Sequence, residues 1–332
     1  KNRFSLKDEE IDYIIGGNAV AGGENITRLA ALTAGLDEMI PAVTLDLQCG
    51  SALESITAAA AKIESGLADL VIAGGFESSS TQPVRMWNSN HPDYQEGKSY
   101  TVAKFIPDIQ GEQVMLEGAE KTALTENVTK AEMDPWVLLS HKRAAQAAKE
   151  GILSDIQFSI ADSKKDEGIR PSMSQRLLDR LPCLLPGGSI ITAANACLMH
   201  DGAAFVVLCS EAYRKKHGLT PQAAFRFGTA IGSDPFMSPK TAVLAIRKLL
   251  KQTALSIDEI HSLEVNEAFA VIDVLLEREF PGIRERLNPL GGALAYGHPY
   301  GASGAIILLH LLKDLELNQG RFGICGVAAA GG

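Results

Sequence analysis

Cys49 is the residue best placed for chemistry. Gln48-Cys49-Gly50-Ser51 follows a strand-like alternating run, Val43-Thr44-Leu45-Asp46-Leu47, and leads straight into an Ala-rich helical stretch over residues 52–63. A thiol at a helix N-terminus faces unpaired backbone N–H groups and the positive end of the helix dipole, and both favour the thiolate. The position predicts a thiol pKa drawn down from about 8.5 toward neutrality, and a thiolate is a nucleophile. It equally suits an inert thiol packed at a helix start, and position by itself does not separate the two.

Three more stretches carry groups that could work with a thiol. His298 lies in Asn288-Pro289-Leu290-Gly291-Gly292-Ala293-Leu294-Ala295-Tyr296-Gly297-His298-Pro299-Tyr300-Gly301-Ala302-Ser303-Gly304, where glycines crowd both sides. Glycine permits close approach of backbone to a ligand or to another segment. A histidine held there can donate to an oxyanion and assist a cysteine. Asn266-Glu267 closes an apolar strand containing Leu263 and Val265 and opens a helix, so Asn266 is either a site carboxamide, an ordinary N-cap, or both. Cys325-Gly326-Val327-Ala328-Ala329-Ala330-Gly331-Gly332 either directs backbone N–H groups into a site or is a Gly-rich turn ending a buried strand.

The elements that position these groups are of α/β type. Strands are expected at residues 11–15, 43–47, 70–73, 189–192 and 203–208, and helices at 26–36 and 52–63. From about residue 78 to 186 the strand signal fades and polar residues and proline increase, with one amphipathic helix at 134–150; this stretch reads as an insertion or lid carrying helices of its own. The last third repeats the first. Residues 256–260 echo 5–11, the helix at 302–315 echoes that at 52–63, and the apolar run 323–328 echoes 69–74. Two similar α/β halves suggest two sheets packed through shared helices.

Composition narrows the function classes. At 332 residues and 46% hydrophobic content the chain can bury a large core. A net charge of −9 with no basic run speaks against nucleic acid as a partner. No apolar stretch is long enough for a membrane span, and the opening Lys1-Asn2-Arg3-Phe4-Ser5 has no apolar run behind it as a secretory signal would. Five cysteines at wide spacings, with no C-x-x-C pair, argue against a metal site or a disulfide framework and fit a reducing cytoplasm. The first residue is not Met and the last two are Gly331-Gly332, so further residues are expected at both ends.

Taken together these stretches resemble the thiolase superfamily over nearly the whole chain. Gln48-Cys49-Gly50-Ser51-Ala52 followed by Ala73-Gly74-Gly75-Phe76-Glu77-Ser78 is similar to that family's nucleophile block, Asn266-Glu267-Ala268-Phe269-Ala270 to its Asn motif, and Gly297-His298-Pro299-Tyr300-Gly301-Ala302-Ser303-Gly304 to its His motif. The resemblance implies an α/β fold of five layers, αβαβα, made of two similar halves with an inserted loop domain. Residues 1–80 with about 187–211 would form the N-terminal half, 81–186 the loop domain covering substrate and coenzyme A, and 212–332 the C-terminal half. It implies a homodimer or homotetramer that uses coenzyme A and acyl-CoA as substrates, has no tightly bound cofactor and serves fatty acid metabolism. By the same resemblance Cys49 forms the acyl-enzyme and His298 activates it. Asn266 holds a water in one oxyanion hole, the N–H groups of Cys49 and Ala330 form the other, and Arg170 in Asp166-Glu167-Gly168-Ile169-Arg170-Pro171 reaches the nucleotide of coenzyme A.

One departure bears directly on the reaction. The family carries a second cysteine, as Cys-x-Gly-Gly-Gly, that moves a proton at the second substrate's α-carbon. Alignment on Arg321-Phe322-Gly323 puts Ala328 there, and alanine cannot move a proton. Cys325, three residues upstream in the presumed strand, points to the opposite face unless the register shifts. Glu120-Lys121-Thr122 stands where the family lines its acyl pocket, and Cys197 replaces the serine after Ala194-Asn195-Ala196. Three functions therefore stand: a thiolase-like acyltransferase performing Claisen condensation or thiolysis of 3-oxoacyl-CoA, a divergent member that acylates Cys49 without carbon–carbon chemistry, and a non-catalytic acyl-CoA-binding scaffold.

Overall fold

The computed structural model describes residues 6–20, 23–109, 111–160 and 165–332; the residues at positions 1–5, read above for a leader, lie outside them. The N-terminal sheet is formed by β1 (Tyr13–Gly17), β2 (Ala42–Leu45), β3 (Leu70–Ser78) and β4 (Asp201–Cys209) in the order β2-β1-β3-β4. The first three strands are parallel and β4 is antiparallel to β3. A second sheet pairs β5 (Ser262–Val265) with β6 (Gly323–Gly326) in parallel.

Side-chain alternation sends each strand of the first sheet into two cores. Ile15, Val71 and Ala73 face inward onto α2 (Ser51–Glu64) and α10 (Tyr300–Asn318), whereas Ile14 and Leu70 face outward with Ala31 of α1 (Ile26–Thr33) and Tyr213 of α6 (Glu211–His217). On the second sheet Leu263, Val265 and Ile324 face Ile246 of α7 (Ser238–Thr253) and Leu276 of α8 (Val271–Glu279). Helix, sheet, the α2–α10 layer, sheet and helix give the five layers anticipated from the sequence. The repeat is also visible in detail, since single-turn 3-10 helices at Asp8–Glu10 and Ile257–Glu259 precede β1 and β5.

The middle layer is built by close backbone approach. A Cβ on Gly75 would fall far inside van der Waals contact distance of the Gly301 carbonyl oxygen and 2.9 Å from Gly17 O. A Cβ on Gly304 would lie 2.7 Å from the Leu53 nitrogen. The first turn of α10 is thus seated directly on β3 and on the start of α2.

Between residues 81 and 186 lie α3 (Val114–Thr125), α4 (Lys130–Glu150) and α5 (Gln175–Leu178), and no strand among the described residues. The α4 helix begins at a capping box, Thr129 with Glu132, and stops at Gly151 in the left-handed region (φ 66°). The region is more than a lid. Ala119, Val137 and Leu178 belong to the same core as Val265, Leu276 and Ile324 of the C-terminal half.

The strand expected at 189–192 does not form; Thr192 makes only an isolated bridge with Cys183. The cause is Glu120, whose carboxylate accepts the N–H groups of Ser189 (2.6 Å), Ile190 (3.1 Å) and Ile191 (2.9 Å), taking the donors a ladder would need. Burial works against that charge, but these donors hold the carboxyl below its ordinary range. Glu120 therefore anchors a loop. Two residues on, Thr122 is buried and donates to Gly118 O.

Candidate active site

Cys49 sits in a tight turn between β2 and α2. Gln48 takes a left-handed conformation (φ 50°), an uncommon one for a residue other than glycine. Its N–H donates to Asp46 Oδ1 (2.8 Å), and the Ser51 hydroxyl accepts from Leu47 N–H (2.9 Å) while donating to Gln48 O (2.5 Å). The turn leaves Cys49 two residues ahead of the first residue of α2, buried, with its sulfur accepting from the backbone N–H groups of Ala330 and Cys49 itself.

The expected lowering of this thiol's pKa is not found. Burial pushes it up to about 12; the Ala330 and Cys49 N–H groups pull it down, and the charges of Glu77 and Asp46 oppose them. Desolvation of a buried anion outweighs two hydrogen bonds and a helix dipole. At neutral pH the free chain therefore holds Cys49 as a thiol, and making the nucleophile requires a proton acceptor.

His298 is the candidate acceptor. It occupies the equivalent place in the second half, two residues ahead of α10, and is buried. Its Nδ1 lies 2.5 Å from Ser303 Oγ. The Ser303 hydroxyl donates to Pro299 O (3.0 Å), so its oxygen accepts and His298 carries its proton on Nδ1. Nε2 is then a lone pair, met by the Asn266 carboxamide Nδ2 at 3.3 Å. Burial pushes the pKa of His298 down to about 3, which leaves the imidazole neutral.

Asn266 is not a helix cap: α8 starts at Val271 with Ala270 as its cap. It stands in a buried connection with Nδ2 on His298 and with Oδ1, also buried, facing no donor among the described residues. The next residue, Glu267, fixes this connection. Its carboxylate accepts from Ser140 Oγ of α4 (2.7 Å), Asn288 Nδ2 (3.0 Å) and Leu294 N–H (3.2 Å), tying the Asn266 segment to α4 and to the glycine-rich loop before His298. Asn288, at φ 47°, also brackets the backbone of Val265.

Sequence reasoning missed three groups beside these. Glu77 accepts the N–H groups of Ala19 (2.9 Å), Val20 (3.3 Å) and Gly301 (3.0 Å), pinning the N-terminus of α10 to the end of β3; an acid at a strand end facing a helix start is the only signal the sequence offered. The Tyr300 ring stands edge-on to His298 with centroids 5.0 Å apart, and its hydroxyl is pushed up by burial and by the charges of Cys197 and Cys49. Cys197, singled out only as a replaced serine, lies within electrostatic reach of Cys49.

Cys325 does not join the site. It lies in β6 directly opposite Glu264, and burial and the Glu264 charge push its thiol up. Ala328 is packed in the core. Arg170 lines an open cavity of about 650 Å³ with His141, Lys142, Lys149 and Met173, a lining that includes none of Cys49, His298 and Asn266. Its N–H donates to His141 Nδ1 (3.2 Å). Among the described residues no group of three or more His, Cys, Asp or Glu side chains could hold a metal, and no helix is long and apolar enough to cross a membrane.

The fold is a two-halved αβαβα arrangement that sets a buried Cys49 and a buried His298 ahead of the paired central helices α2 and α10, with Asn266 on His298. Residues 2–212 match the thiolase N-terminal domain and residues 219–332 the thiolase C-terminal domain, so the chain belongs to the thiolase family. It is 34% identical over 340 residues to the steroid 3-ketoacyl-CoA thiolase FadA6 of Mycobacterium tuberculosis, covering 100% of this chain and 83% of that protein. The crystal structure of the Bacillus anthracis acetyl-CoA acetyltransferase superposes with a TM-score of 0.89 at 30% identity, covering 100% of this chain and 87% of that one. The human mitochondrial 3-ketoacyl-CoA thiolase, solved with CoA, also gives 0.89 at 30% identity, covering 98% and 85%.

Proposed function

We propose that the chain is an acyl-CoA acyltransferase in which Cys49 carries the acyl group as a thioester, working in Claisen condensation of two acyl-CoA molecules or in thiolysis of a 3-oxoacyl-CoA. The observation that carries this reading is that the Cys49 sulfur, with the Ala330 N–H on it, and a neutral His298 whose Nε2 is free of a proton stand just ahead of α2 and α10, two helices whose first turns pack on one another. His298 takes the Cys49 proton as the thiolate attacks the acyl carbon. The N–H groups of Cys49 and Ala330 receive the oxyanion; removing one such donor commonly costs on the order of 10²–10³ in turnover. Asn266 Oδ1, buried without a donor, suits the water of the second oxyanion hole.

Coenzyme A enters as a dissociable substrate. Arg170, with Lys142 and Lys149 lining the same cavity, offers positive charge to its phosphates. Residues 1–80 with about 187–211, then 81–186, then 212–332 serve as N-terminal half, loop domain and C-terminal half. The exposed edge of β2, its four residues all half-buried, suits pairing with a second copy in a homodimer or homotetramer, and a cytoplasmic setting fits the free cysteines.

Mass spectrometry of the protein mixed with acetyl-CoA is the direct test. An acetyl adduct on Cys49 that vanishes in Cys49→Ala is expected, and no adduct with any chain length rejects the reading. Thiolysis of acetoacetyl-CoA by coenzyme A should then fall in His298→Ala. The second reading, acylation of Cys49 without carbon–carbon chemistry, is favoured by Ala328 and by Cys325 facing Glu264. It predicts an adduct with no thiolysis.

A further inference from the structure

We propose that Cys197 is the second catalytic thiol of this chain, moving the proton at the substrate α-carbon that Ala328 cannot move. The proposal rests on the acyl-Cys49 reading above and names the group that completes it.

The backbone around Cys197 is fastened to both neighbouring parts of the site. Its own N–H donates to Ala268 O (3.0 Å), and Ala196 bridges to Phe269, so it lies against the Asn266 segment. On its other side Leu198 O accepts the His298 N–H (2.8 Å) and Met199 bridges to His298. Cys197 is therefore held between the two segments that supply Asn266 and His298. Tyr300, edge-on to His298 with ring centroids 5.0 Å apart, is within electrostatic reach of both Cys197 and Cys49. Cys197 packs against the core cluster that contains Ala328, yet it is not fully covered.

The other cysteines do not share this position. Cys325 faces Glu264, Cys209 packs in the outer core with Tyr213, and Cys183 bridges to Thr192 beside the Glu120 loop. Burial and the Cys49 charge hold the Cys197 thiol up, so it is protonated at neutral pH and begins as an acid.

In thiolysis the Cys49 thiolate, its proton on His298, attacks the 3-oxo carbon. The bond between the α-carbon and that carbon breaks, its electron pair passes to the α-carbon, and the Cys197 S–H gives its proton there to release acetyl-CoA. The Cys197 thiolate then takes the proton of the incoming coenzyme A thiol as that sulfur attacks the acyl-Cys49 thioester. Cys49 departs as thiolate and Cys197 is a thiol again. Condensation runs the same steps backwards, with Cys197 thiolate removing the α-proton. No oxidant or further reactant is needed.

The test separates the half-reactions. Cys197→Ala and the volume-conserving Cys197→Ser should still take an acetyl group on Cys49, seen by mass. Exchange of the acetyl-CoA α-hydrogens with D2O, and thiolysis of acetoacetyl-CoA, should both fall by at least about 100-fold, the usual yield of a positioned acid–base group. Adding Ala328→Cys to Cys197→Ala should restore exchange, which a merely structural role for Cys197 does not predict. Exchange and thiolysis at wild-type rates in Cys197→Ala overturn the proposal, as does loss of the Cys49 adduct in both Cys197 variants. Absence of the adduct in the wild type sinks the acyl-Cys49 reading itself, and this proposal with it.

Discussion

The two central helices begin alike and are equipped differently. α2 and α10 each start two residues after a reactive side chain, Cys49 in one half and His298 in the other. At α10 the first turn is compensated: Glu77 accepts the Gly301 N–H, and Ser303 fixes the imidazole tautomer. At α2 the nearby groups include Glu77 and Asp46, whose negative charges oppose a thiolate, and burial opposes it further. The difference shows that a helix N-terminus is a modest influence in a site this dry. Burial holds the resting Cys49 as a thiol and the resting His298 as a neutral imidazole.

The comparison can be broken at its hinge. Gly75→Ala drives a methyl group into the Gly301 carbonyl, where both neighbours are backbone and cannot turn aside. We expect a loss of more than about 3 kcal/mol in urea unfolding, or no folded protein at all. A soluble Gly75→Ala protein of unchanged stability contradicts the seating of α10 on β3.

It can be sharpened by titration. With the Cys49 pKa near 12, the thiolate fraction is small at pH 7 and grows about tenfold per pH unit up to that value. Alkylation of Cys49 by iodoacetamide in the free enzyme should therefore climb without a plateau from pH 7 to 10. A plateau below pH 8 reports a preformed thiolate–imidazolium pair instead. The smallest effect is expected from Ser303→Ala. It removes the acceptor for His298 Nδ1–H and lets the tautomer relax, lowering kcat/KM by about tenfold, an amount comparable to one ordinary hydrogen bond. A Ser303→Ala enzyme as fast as the parent assigns the tautomer to another group.

Much of this was legible before any coordinates. The helix after Cys49, the strand before it and the repeat of the halves all follow from local pattern and order, which are one-dimensional properties. What failed depended on distant partners. The 189–192 strand failed because Glu120, some seventy residues away, captures its donors. Asn266 stayed open between a site carboxamide and an N-cap, because Asn before an apolar helical run is often a cap; here the helix starts later and the carboxamide turns to His298. The pKa of Cys49 was read from the helix it precedes, without the burial that overrides it. Cys197 was noticed only as a replaced serine, and only folding sets it between the Asn266 and His298 segments.

The glycine contact between β3 and α10 has a consequence for how such an enzyme can diversify. Where two helices meet a sheet backbone to backbone, no side-chain rotamer is available to absorb a shift, so the spacing of sulfur and imidazole is as stiff as the main chain itself. Changes of substrate are then confined to regions that reach the reacting atoms without bearing on that seam. The helical stretch between residues 81 and 186 is where such change can accumulate while the thiol and the ring keep their alignment.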